Sequence, residues 1–269
     1  MSALHDAFAT ARAEGRAALV GYLPAGYPSV QGAIDALVAM VEGGCDVIEI
    51  GLPYSDPVMD GPIVQQAVDA ALRGGVRIAD VMRTVEAVAA TGTPTLVMTY
   101  WNPVEHHGVD RFAAELAAAG GVGVITPDLT PEEAGPWLEA TRTHGIDTVF
   151  VVAPSSSDAR LKVVASVTTG FVYAASLMGV TGTRTELSSQ AGTLVPRVRA
   201  VTDAPVAVGI GVSTAAQAAE VAGYADGVIV GSAFVRRMLD AASPAAGVAA
   251  VGELASDLAD GVRRVPLNR

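Results

Sequence analysis

Two carboxylates lie close together in the sequence, in surroundings of different polarity. Glu49 lies inside the apolar run Val47–Gly51, whereas Asp60 follows in a loop that contains proline and serine. Strands prefer Val and Ile and exclude unpaired charge, so Glu49 is either paired or functional. A buried carboxyl resists ionisation, which raises its pKa toward the range useful for proton transfer at neutral pH. Glu49 is therefore the first catalytic candidate, and an ordinary strand-end salt bridge is the structural alternative.

Two glycine-containing turns follow apolar runs late in the chain. They are Gly209-Ile210-Gly211-Val212-Ser213 and Gly231-Ser232-Ala233, and each leads into a helical pattern. Glycine lets a phosphate approach backbone N–H groups at a helix start, and the Ser232 hydroxyl can add a donor. The pair of turns predicts a phosphate site. The alternative is that these glycines only make tight strand-to-helix turns.

The polar loop from residue 176 to 188 contains Gly179 and Gly182 and has the composition of a lid, with Thr181 and Arg184 as the residues that would engage a site. A plain surface loop is the alternative. His106-His107 suggests a metal site, but adjacent side chains point in different directions and no third His or Cys lies nearby in the sequence. We therefore predict no metal.

The elements that must position these residues alternate regularly. Short apolar runs predict eight strands, and the stretches between them have helical periodicity. The predicted strands are Ala18–Tyr22, Val47–Gly51, Thr95–Tyr100, Gly121–Thr126, Thr148–Val152, Gly170–Ala175, Pro205–Gly209 and Gly227–Val230. The predicted helices are Ser29–Glu42, Ile78–Ala90, Asp110–Ala119, Pro131–His144, Asp158–Val167, Ser188–Val201 and Thr214–Val221.

This alternation predicts a closed (β/α)8 barrel, the TIM barrel, with 1–269 as a single domain. Extra helices are predicted at Leu4–Glu14, at Gly61–Arg73 in the second loop and at Ala245–Arg264. An open doubly wound sheet is the alternative, although no early GxGxxG turn supports it. Because active sites of barrels gather at the C-terminal ends of the strands, we expect Glu49 and Asp60 there. The same argument adds Tyr22, Tyr100, Tyr173, Gly209 and Gly231.

Composition limits the partners of the chain. Of 269 residues, 51% are hydrophobic and 17% charged, which favours a compact globular protein. The formal charge of −11 disfavours nucleic acid and anionic lipid, so an anionic substrate needs a local site of backbone N–H groups. Cys45 is the single cysteine, the first 16 residues lack the apolar core of a signal peptide, and no run approaches the roughly 18 apolar residues of a membrane helix. We expect a cytoplasmic protein.

Five motifs in order resemble those of the tryptophan synthase α subunit family. The longest runs from Glu49 to Pro62, and the likeness extends from about Phe8 to Leu239. The other four are Met98-Thr99-Tyr100-Trp101-Asn102-Pro103, Pro127-Asp128-Leu129-Thr130-Pro131-Glu132-Glu133, Gly179-Val180-Thr181-Gly182 and Gly231-Ser232-Ala233. The resemblance implies retro-aldol cleavage of indole-3-glycerol phosphate to indole and glyceraldehyde 3-phosphate, with no cofactor in this chain.

The resemblance also implies roles for individual residues. Glu49 would protonate carbon 3 of the indole and then accept the hydroxyl proton, while an ionised Asp60 would stabilise positive charge at the ring nitrogen. Tyr173 would hydrogen-bond beside Glu49, and Thr181 would close on Asp60. Tyr22 and Tyr100 would contact the indole, and the phosphate would bind at Gly182, Gly211, Gly231 and Ser232. Three residues depart from the family pattern: Ile210 for an aromatic, Tyr22 for a frequent Phe, and Tyr27 for a common Asp.

A partner is implied as well. The family resemblance suggests a β subunit that carries pyridoxal phosphate and receives indole through a tunnel in an αββα complex. Pro53, Asp56 and Pro57 would lie near that interface, on the loop that bears Asp60. Two alternatives remain open: a freestanding indole-releasing lyase, and a barrel that binds a phosphorylated ligand without catalysis.

Overall fold

Parallel strands and helices alternate along the chain. The computed structural model describes residues 2–175, 184–209 and 211–264, and of 184–190 the backbone alone. The strands are β1 (Ala18–Pro24), β2 (Val47–Gly51), β3 (Thr95–Met98), β4 (Gly123–Ile125), β5 (Asp147–Val149), β6 (Val151–Val152), β7 (Val172–Ala175), β8 (Val206–Gly209) and β9 (Gly227–Val230). They form one sheet in the order β5-β4-β3-β2-β1-β9-β8-β7-β6, and every pairing is parallel.

The two edges of this sheet are halves of one extended segment. Val149 of β5 pairs with Ile125 of β4, and Val151 of β6 pairs with Tyr173 of β7. Between them, the Phe150 carbonyl accepts a hydrogen bond from the Tyr173 N–H at 3.1 Å. The predicted single strand Thr148–Val152 is therefore divided in two: its first part, β5, pairs with β4, and its second part, β6, pairs with β7. Nine segments occupy eight positions around a barrel, which confirms the predicted (β/α)8 fold and rules out the open sheet.

Twelve helices accompany the strands within the described residues. They are α1 (Ala3–Ala13), α2 (Val30–Glu42), α3 (Pro62–Arg73), α4 (Ile78–Ala89), α5 (Trp101–His107), α6 (Val109–Ala118), α7 (Gly135–His144), α8 (Asp158–Val167), α9 (Arg184–Arg199), α10 (Ala215–Ala222), α11 (Ser232–Leu239) and α12 (Pro244–Arg263). The three predicted extra helices correspond to α1, α3 and α12, and no described helix is both long and apolar enough to cross a bilayer.

Several predicted helix ends were wrong for local reasons. The predicted start at Pro131 is displaced to Gly135, because a turn closes first with the Ala134 N–H bonded to the Pro131 carbonyl. Helix α9 begins at Arg184 rather than Ser188. The Ser29 side chain caps α2 by accepting the Gly32 N–H at 3.0 Å, and Thr214 caps α10.

Helix α5 is the element that the sequence pattern missed. It has seven residues, and its first N–H, at Trp101, donates to the Asp128 carboxylate at 2.9 Å. Asp128 belongs to the loop after β4, so this cap lies 27 residues away along the chain. Local cap signals cannot reveal a helix start that is satisfied by a distant residue.

The N-terminal end of the barrel is filled by apolar side chains. Leu4 and Phe8 of α1 pack under the strands, and the Phe8 ring lies 5.2 Å from that of Phe171. Above them the strands contribute an apolar layer. Its members are Val20, Val47, Leu96, Ile125, Val149, Ala207 and Ile229. Water is excluded here, so polar chemistry is confined to the opposite, C-terminal end.

A buried ion pair clamps the start of β1 to the start of β2. The Arg16 guanidinium donates two hydrogen bonds to Asp46, at 2.7 and 2.8 Å, and Asp46 also accepts the Leu19 N–H at 2.8 Å. The Arg16 side chain is only 8% exposed. Bidentate geometry and a third bond to the same carboxylate satisfy charges that would otherwise be costly to bury.

Replacing Asp46 by Ala should destabilise the protein by about 3 kcal/mol, because it removes both bonds from the buried Arg16 guanidinium to Asp46 and leaves the bond to Glu14 as its only described ion pair. Urea unfolding followed by circular dichroism measures this change. Asp69→Ala is the matched control, since Asp69 pairs with Arg73 on the exposed face of α3 and its loss should cost about 0.5 kcal/mol or less. Equal losses in the two variants would contradict the role given to the clamp.

Candidate active site

The site is built on the layer directly above the apolar floor of the barrel. Successive residues of a strand point to opposite faces, so a residue two positions after an inward one also points inward. On five strands, the residue two positions after a residue of the apolar floor lines the cavity. These pairs are Val20 and Tyr22, Val47 and Glu49, Leu96 and Met98, Ala207 and Gly209, and Ile229 and Gly231. The resulting cavity has a volume of about 260 Å³.

Glu49 is the most deeply buried acid of this cavity. It is 1% exposed, and its Oε2 atom has no hydrogen-bond partner among the described residues. Burial first, and the nearby charge of Asp60 second, raise its pKa to about 8. The alternative of a strand-end salt bridge is wrong, because no described basic residue pairs with Glu49. At neutral pH this carboxyl is mainly protonated and can donate a proton.

Asp60 faces the same cavity from the loop between β2 and α3. Its N–H donates to the Pro57 carbonyl at 3.0 Å, and its own carbonyl accepts from the Gln65 side chain at 2.8 Å. Burial raises its pKa to about 6, so the carboxylate is mainly ionised at pH 7. The two acids therefore hold different protonation states at the same pH.

Three tyrosines surround the two acids. Tyr22 and Tyr173 line the cavity, and the Tyr100 hydroxyl accepts the Met59 N–H at 2.8 Å, which ties β3 to the Asp60 loop. Burial raises the pKa of Tyr100 to about 12 and raises the pKa of Tyr22 and of Tyr173 as well, so all three phenols remain protonated. They can serve as hydrogen-bond donors but not as bases.

Glycines at the strand ends leave room for these rings. A Cβ atom at Gly51 would collide with the Tyr22 hydroxyl, and one at Gly209 would collide with the Tyr173 hydroxyl. A Cβ atom at Gly231 would lie 3.0 Å from the Tyr22 ring. The placement of the two rings thus depends on glycines at the ends of β2, β8 and β9.

The cavity ends at the first turn of α11. Gly211, Gly231 and Ser232 line it there, and Gly211 has a φ of +74°, a backbone conformation that favours glycine. Helix α11 has no side-chain cap. Its first N–H groups are therefore available to an anion at the positive end of the helix dipole.

The chain is similar to known proteins over nearly its whole length. The family profile described as tryptophan synthase alpha chain matches residues 8–263. A protein of Streptomyces coelicolor with that name is 66% identical over 261 residues, which cover 97% of this chain and 96% of that protein. The chain belongs to the tryptophan synthase alpha chain family. It is therefore a lyase of tryptophan biosynthesis.

Other similar proteins also match nearly the whole chain. The tryptophan synthase alpha chain of Salinispora arenicola is 62% identical, with 98% of each chain covered. A solved structure of Mycobacterium tuberculosis tryptophan synthase superposes with a TM-score of 0.91 at 54% identity, covering 97% of this chain and 98% of that one. Subunit alpha from Legionella pneumophila gives 0.89 at 31% identity, with 98% and 100% covered.

The structure brings most of the predicted tryptophan synthase site residues together. Seven line one cavity: Tyr22, Glu49, Asp60, Tyr173, Gly211, Gly231 and Ser232. Tyr100 does not line it but is bonded to the neighbouring loop. Thr181, Gly182 and Ile210 lie outside the described residues, so their assigned roles stay predictions.

Five residues of the cavity were missed by the sequence analysis: Met59, Gly61, Val64, Met98 and Ile229. Met98 and Ile229 could have been found from strand periodicity, because each is an inward position of a predicted strand. Met59 and Val64 carry no such signal, since the loop and the start of α3 fold over the cavity only through tertiary packing.

The paired histidines have separate partners. His107 bonds to Glu115 at 2.7 Å, and the His106 ring lies 3.3 Å from the Asn102 carbonyl. Over the described part of the chain no group of three His, Cys, Asp or Glu residues is placed to hold a metal ion. The predicted interface residues differ in exposure: Asp56 is exposed, Pro57 is half-buried and Pro53 is buried within this chain.

Replacing Glu49 by Gln should stabilise the folded protein at high pH. The folded state raises the pKa of Glu49 to about 8, so it binds this proton more tightly than the unfolded chain does. Wild-type stability therefore falls as pH rises from about 4.5 to about 8, and Gln removes this dependence. We expect the variant to exceed wild type by about 1 kcal/mol or more near pH 9 and the difference to vanish near pH 4.

Urea unfolding at several pH values measures this difference. The exposed Glu105 on α5 supplies the control, because Glu105→Gln should give a small and nearly constant difference across the same range. A wild-type protein that is more stable than Glu49→Gln near pH 9 would contradict the burial of an unpaired acid.

Proposed function

We propose that this chain cleaves indole-3-glycerol phosphate to indole and glyceraldehyde 3-phosphate, as the α subunit of a tryptophan synthase. The observation that carries the proposal is a pair of acids in one cavity, Glu49 with a pKa of about 8 and Asp60 with a pKa of about 6. At pH 7 one acid can donate a proton while the other is a carboxylate. A retro-aldol reaction on an indole needs both states at once.

Glu49 is proposed to protonate carbon 3 of the indole. The ring nitrogen then bears positive charge, which the Asp60 carboxylate stabilises through the N–H group. The electrons of the bond between carbon 3 and the side chain move into the ring, while the adjacent hydroxyl loses its proton to Glu49 and becomes the aldehyde. The proton count balances, and Glu49 returns to its starting state.

Tyr173 is proposed to orient Glu49. After burial, the charge of Glu49 is the largest influence that raises the pKa of the Tyr173 phenol, which supports their proximity. Tyr100 is proposed to hold the Asp60 loop against the barrel rim, as its bond to the Met59 N–H indicates. Tyr22 is proposed to contact the indole ring.

The phosphate is proposed to bind at Gly211, Gly231 and Ser232, with Gly182 contributing from outside the described residues. A groove of about 560 Å³ between α11 and α12 shares Gly211 and Ser232 with the cavity, and Arg236 and Arg237 line it. Both arginines are exposed, and no described acid pairs with them. They supply positive charge near the phosphate end of a chain with a net charge of −11.

The β partner is proposed to dock on the loop that bears Asp60. Val58 is 81% exposed, and Asp56, Pro57 and Val58 line a groove of about 610 Å³ beside α3. A partner there would contact the same loop that supplies Asp60, so docking and catalysis would be linked through a short stretch of backbone. We propose an αββα complex in which pyridoxal phosphate is bound by the β subunit. We also propose a cytoplasmic location for the chain and a single domain over 1–269.

Arg236→Gln should lower kcat/KM for indole-3-glycerol phosphate about fivefold at low ionic strength, because one charge about 8 Å from a dianion is worth ~1 kcal/mol in water. We expect kcat to change little and the difference from wild type to disappear at about 1 M salt. Arg142→Gln, on α7, is the control and should leave kcat/KM unchanged. An effect of Arg236→Gln that persists in high salt would contradict electrostatic attraction.

The proposed reaction is tested by indole release from indole-3-glycerol phosphate, with and without a β subunit. We expect slow release alone, strong acceleration by the partner, and loss of at least about 10²-fold in Glu49→Gln. Fast release without the partner would favour the freestanding lyase. No release in either state would leave a barrel that binds a phosphorylated ligand without cleaving it.

A further inference from the structure

The Tyr22 hydroxyl is a donor in the cavity wall that has no hydrogen-bond partner among the described residues. Tyr22 is 7% exposed and lines the cavity, yet its hydroxyl makes no hydrogen bond with any described residue. A hydroxyl that faces a cavity can donate a hydrogen bond to a group that enters it. A phenylalanine would fill the same space without a donor. The hydroxyl is therefore a candidate for a bond that forms when the cavity is occupied.

The ring that carries this hydroxyl is held in place. Tyr22 stands beside Glu49 in the register of β1 and β2, so the two side chains point into the barrel together. The ring passes over Gly231, and its hydroxyl lies over Gly51, the last residue of β2. From Gly51 the chain continues into the loop that carries Asp60. The hydroxyl is thus fixed at the root of that loop.

Asp60 presents the complementary group. Its backbone is bonded to Pro57 and Gln65, but neither oxygen of its carboxylate accepts a hydrogen bond from a described residue. The carboxylate and the Tyr22 hydroxyl face one cavity of about 260 Å³. An acceptor and a donor, neither of them bonded to another described residue, therefore face the same small cavity.

Both acids influence both cavity tyrosines. After burial, Asp60 is the first influence that raises the pKa of Tyr22, ahead of Glu49. For Tyr173, Glu49 comes first and Asp60 second. The charge of Asp60 therefore reaches the Tyr22 phenol, which agrees with the two side chains facing one cavity.

We infer that the Tyr22 hydroxyl donates a hydrogen bond to the Asp60 carboxylate when an indole ring fills the cavity. Tyr22 is then a positioning residue: it occupies one carboxylate oxygen, directs the other toward the indole N–H, and favours the ionised form of Asp60. This inference rests on the proposed function. The ionisable groups that face Asp60 from the surrounding elements are Glu49 of β2, Tyr22 of β1, Tyr173 of β7 and Tyr100, which follows β3. The charge of Asp128 also raises the pKa of Tyr100.

The test is the pH dependence of kcat for indole release in Tyr22→Phe. Because kcat reports the enzyme–substrate complex, its acid limb follows Asp60 in the loaded site. Loss of a donor destabilises the carboxylate, so the acid limb should move to higher pH by about one unit, with kcat about fivefold lower near pH 6 and little changed near pH 8. A tyrosine that only packs against the indole would change KM or stability and leave this limb in place.

Two matched variants separate the effect from the loss of any phenol. Tyr173→Phe should move the basic limb, which follows Glu49, and leave the acid limb where it is in wild type. Tyr27→Phe removes a phenol that does not line the cavity and should move neither limb. An acid limb of Tyr22→Phe that coincides with that of wild type would overturn the inference while leaving the proposed reaction intact.

A measurement that does not require turnover tests the hydrogen bond from Tyr22 to Asp60 separately from the proposed reaction. The carboxyl carbon of Asp60 can be titrated by carbon-13 NMR in saturating indole, with its signal assigned by loss in Asp60→Asn. We expect a pKa about one unit higher in Tyr22→Phe than in wild type. If wild type releases no indole but this difference appears, the proposed reaction is wrong and the hydrogen bond stands. Equal pKa values in the two proteins would overturn the bond itself.

Discussion

The rest of the site depends on the burial of one acid, Glu49. Glu49 occupies the second inward layer of the barrel, directly above side chains that exclude water completely. Removing a carboxyl from water without a counter-charge favours its neutral form, and no described cation offsets this. The barrel makes such a position possible because its strands are anchored elsewhere, at the apolar floor and at the clamp of Arg16 and Asp46. Stability is supplied at one end and the unfavourable charge is held at the other.

The contrast between Glu49 and Asp60 follows from the elements that carry them. A strand in the barrel wall cannot leave its layer, so Glu49 stays deep in the cavity. Asp60 belongs to a loop with its own backbone bonds, and it lies nearer the cavity mouth. Burial therefore raises both pKa values but raises that of Glu49 further. One cavity thus contains a proton donor and a carboxylate at the same pH, without a metal ion in the proposed chemistry.

Tyrosine and glycine form a second complementary set. Tyr22 and Tyr173 are large residues on strands whose neighbours end in glycine, and their hydroxyls occupy the space above Gly51 and Gly209. Each tyrosine hydroxyl occupies the space where a side chain of the glycine would lie, and so brings a polar group close to the acids. Glycines also line the end of the cavity where phosphate is proposed to bind, at Gly211 and at Gly231, the residue before α11. Small residues at the strand ends therefore shape both halves of the cavity.

Much of this arrangement could be predicted from residue types and their spacing. Alternating apolar runs and helical stretches predicted the barrel, because periods of 2 and 3.6 residues are local properties of the backbone. The carboxyl within an apolar strand identified Glu49 for the same reason. The family motifs then pointed to Asp60, and the local cap at Ser29 was visible in the sequence.

Other features depend on residues that are far apart in the chain. The cap of α5 by Asp128 and the division of the fifth strand at Phe150 arise from neighbours that only the closed barrel provides. So do the position of the Tyr22 hydroxyl over Gly51 and the groove that joins Arg236 to the proposed phosphate site. The sequence by itself determined which residue types lie on which face of each element. The tertiary structure decided how far each group is removed from water and what it faces, because burial and distance are set by the packing of segments that are remote in sequence.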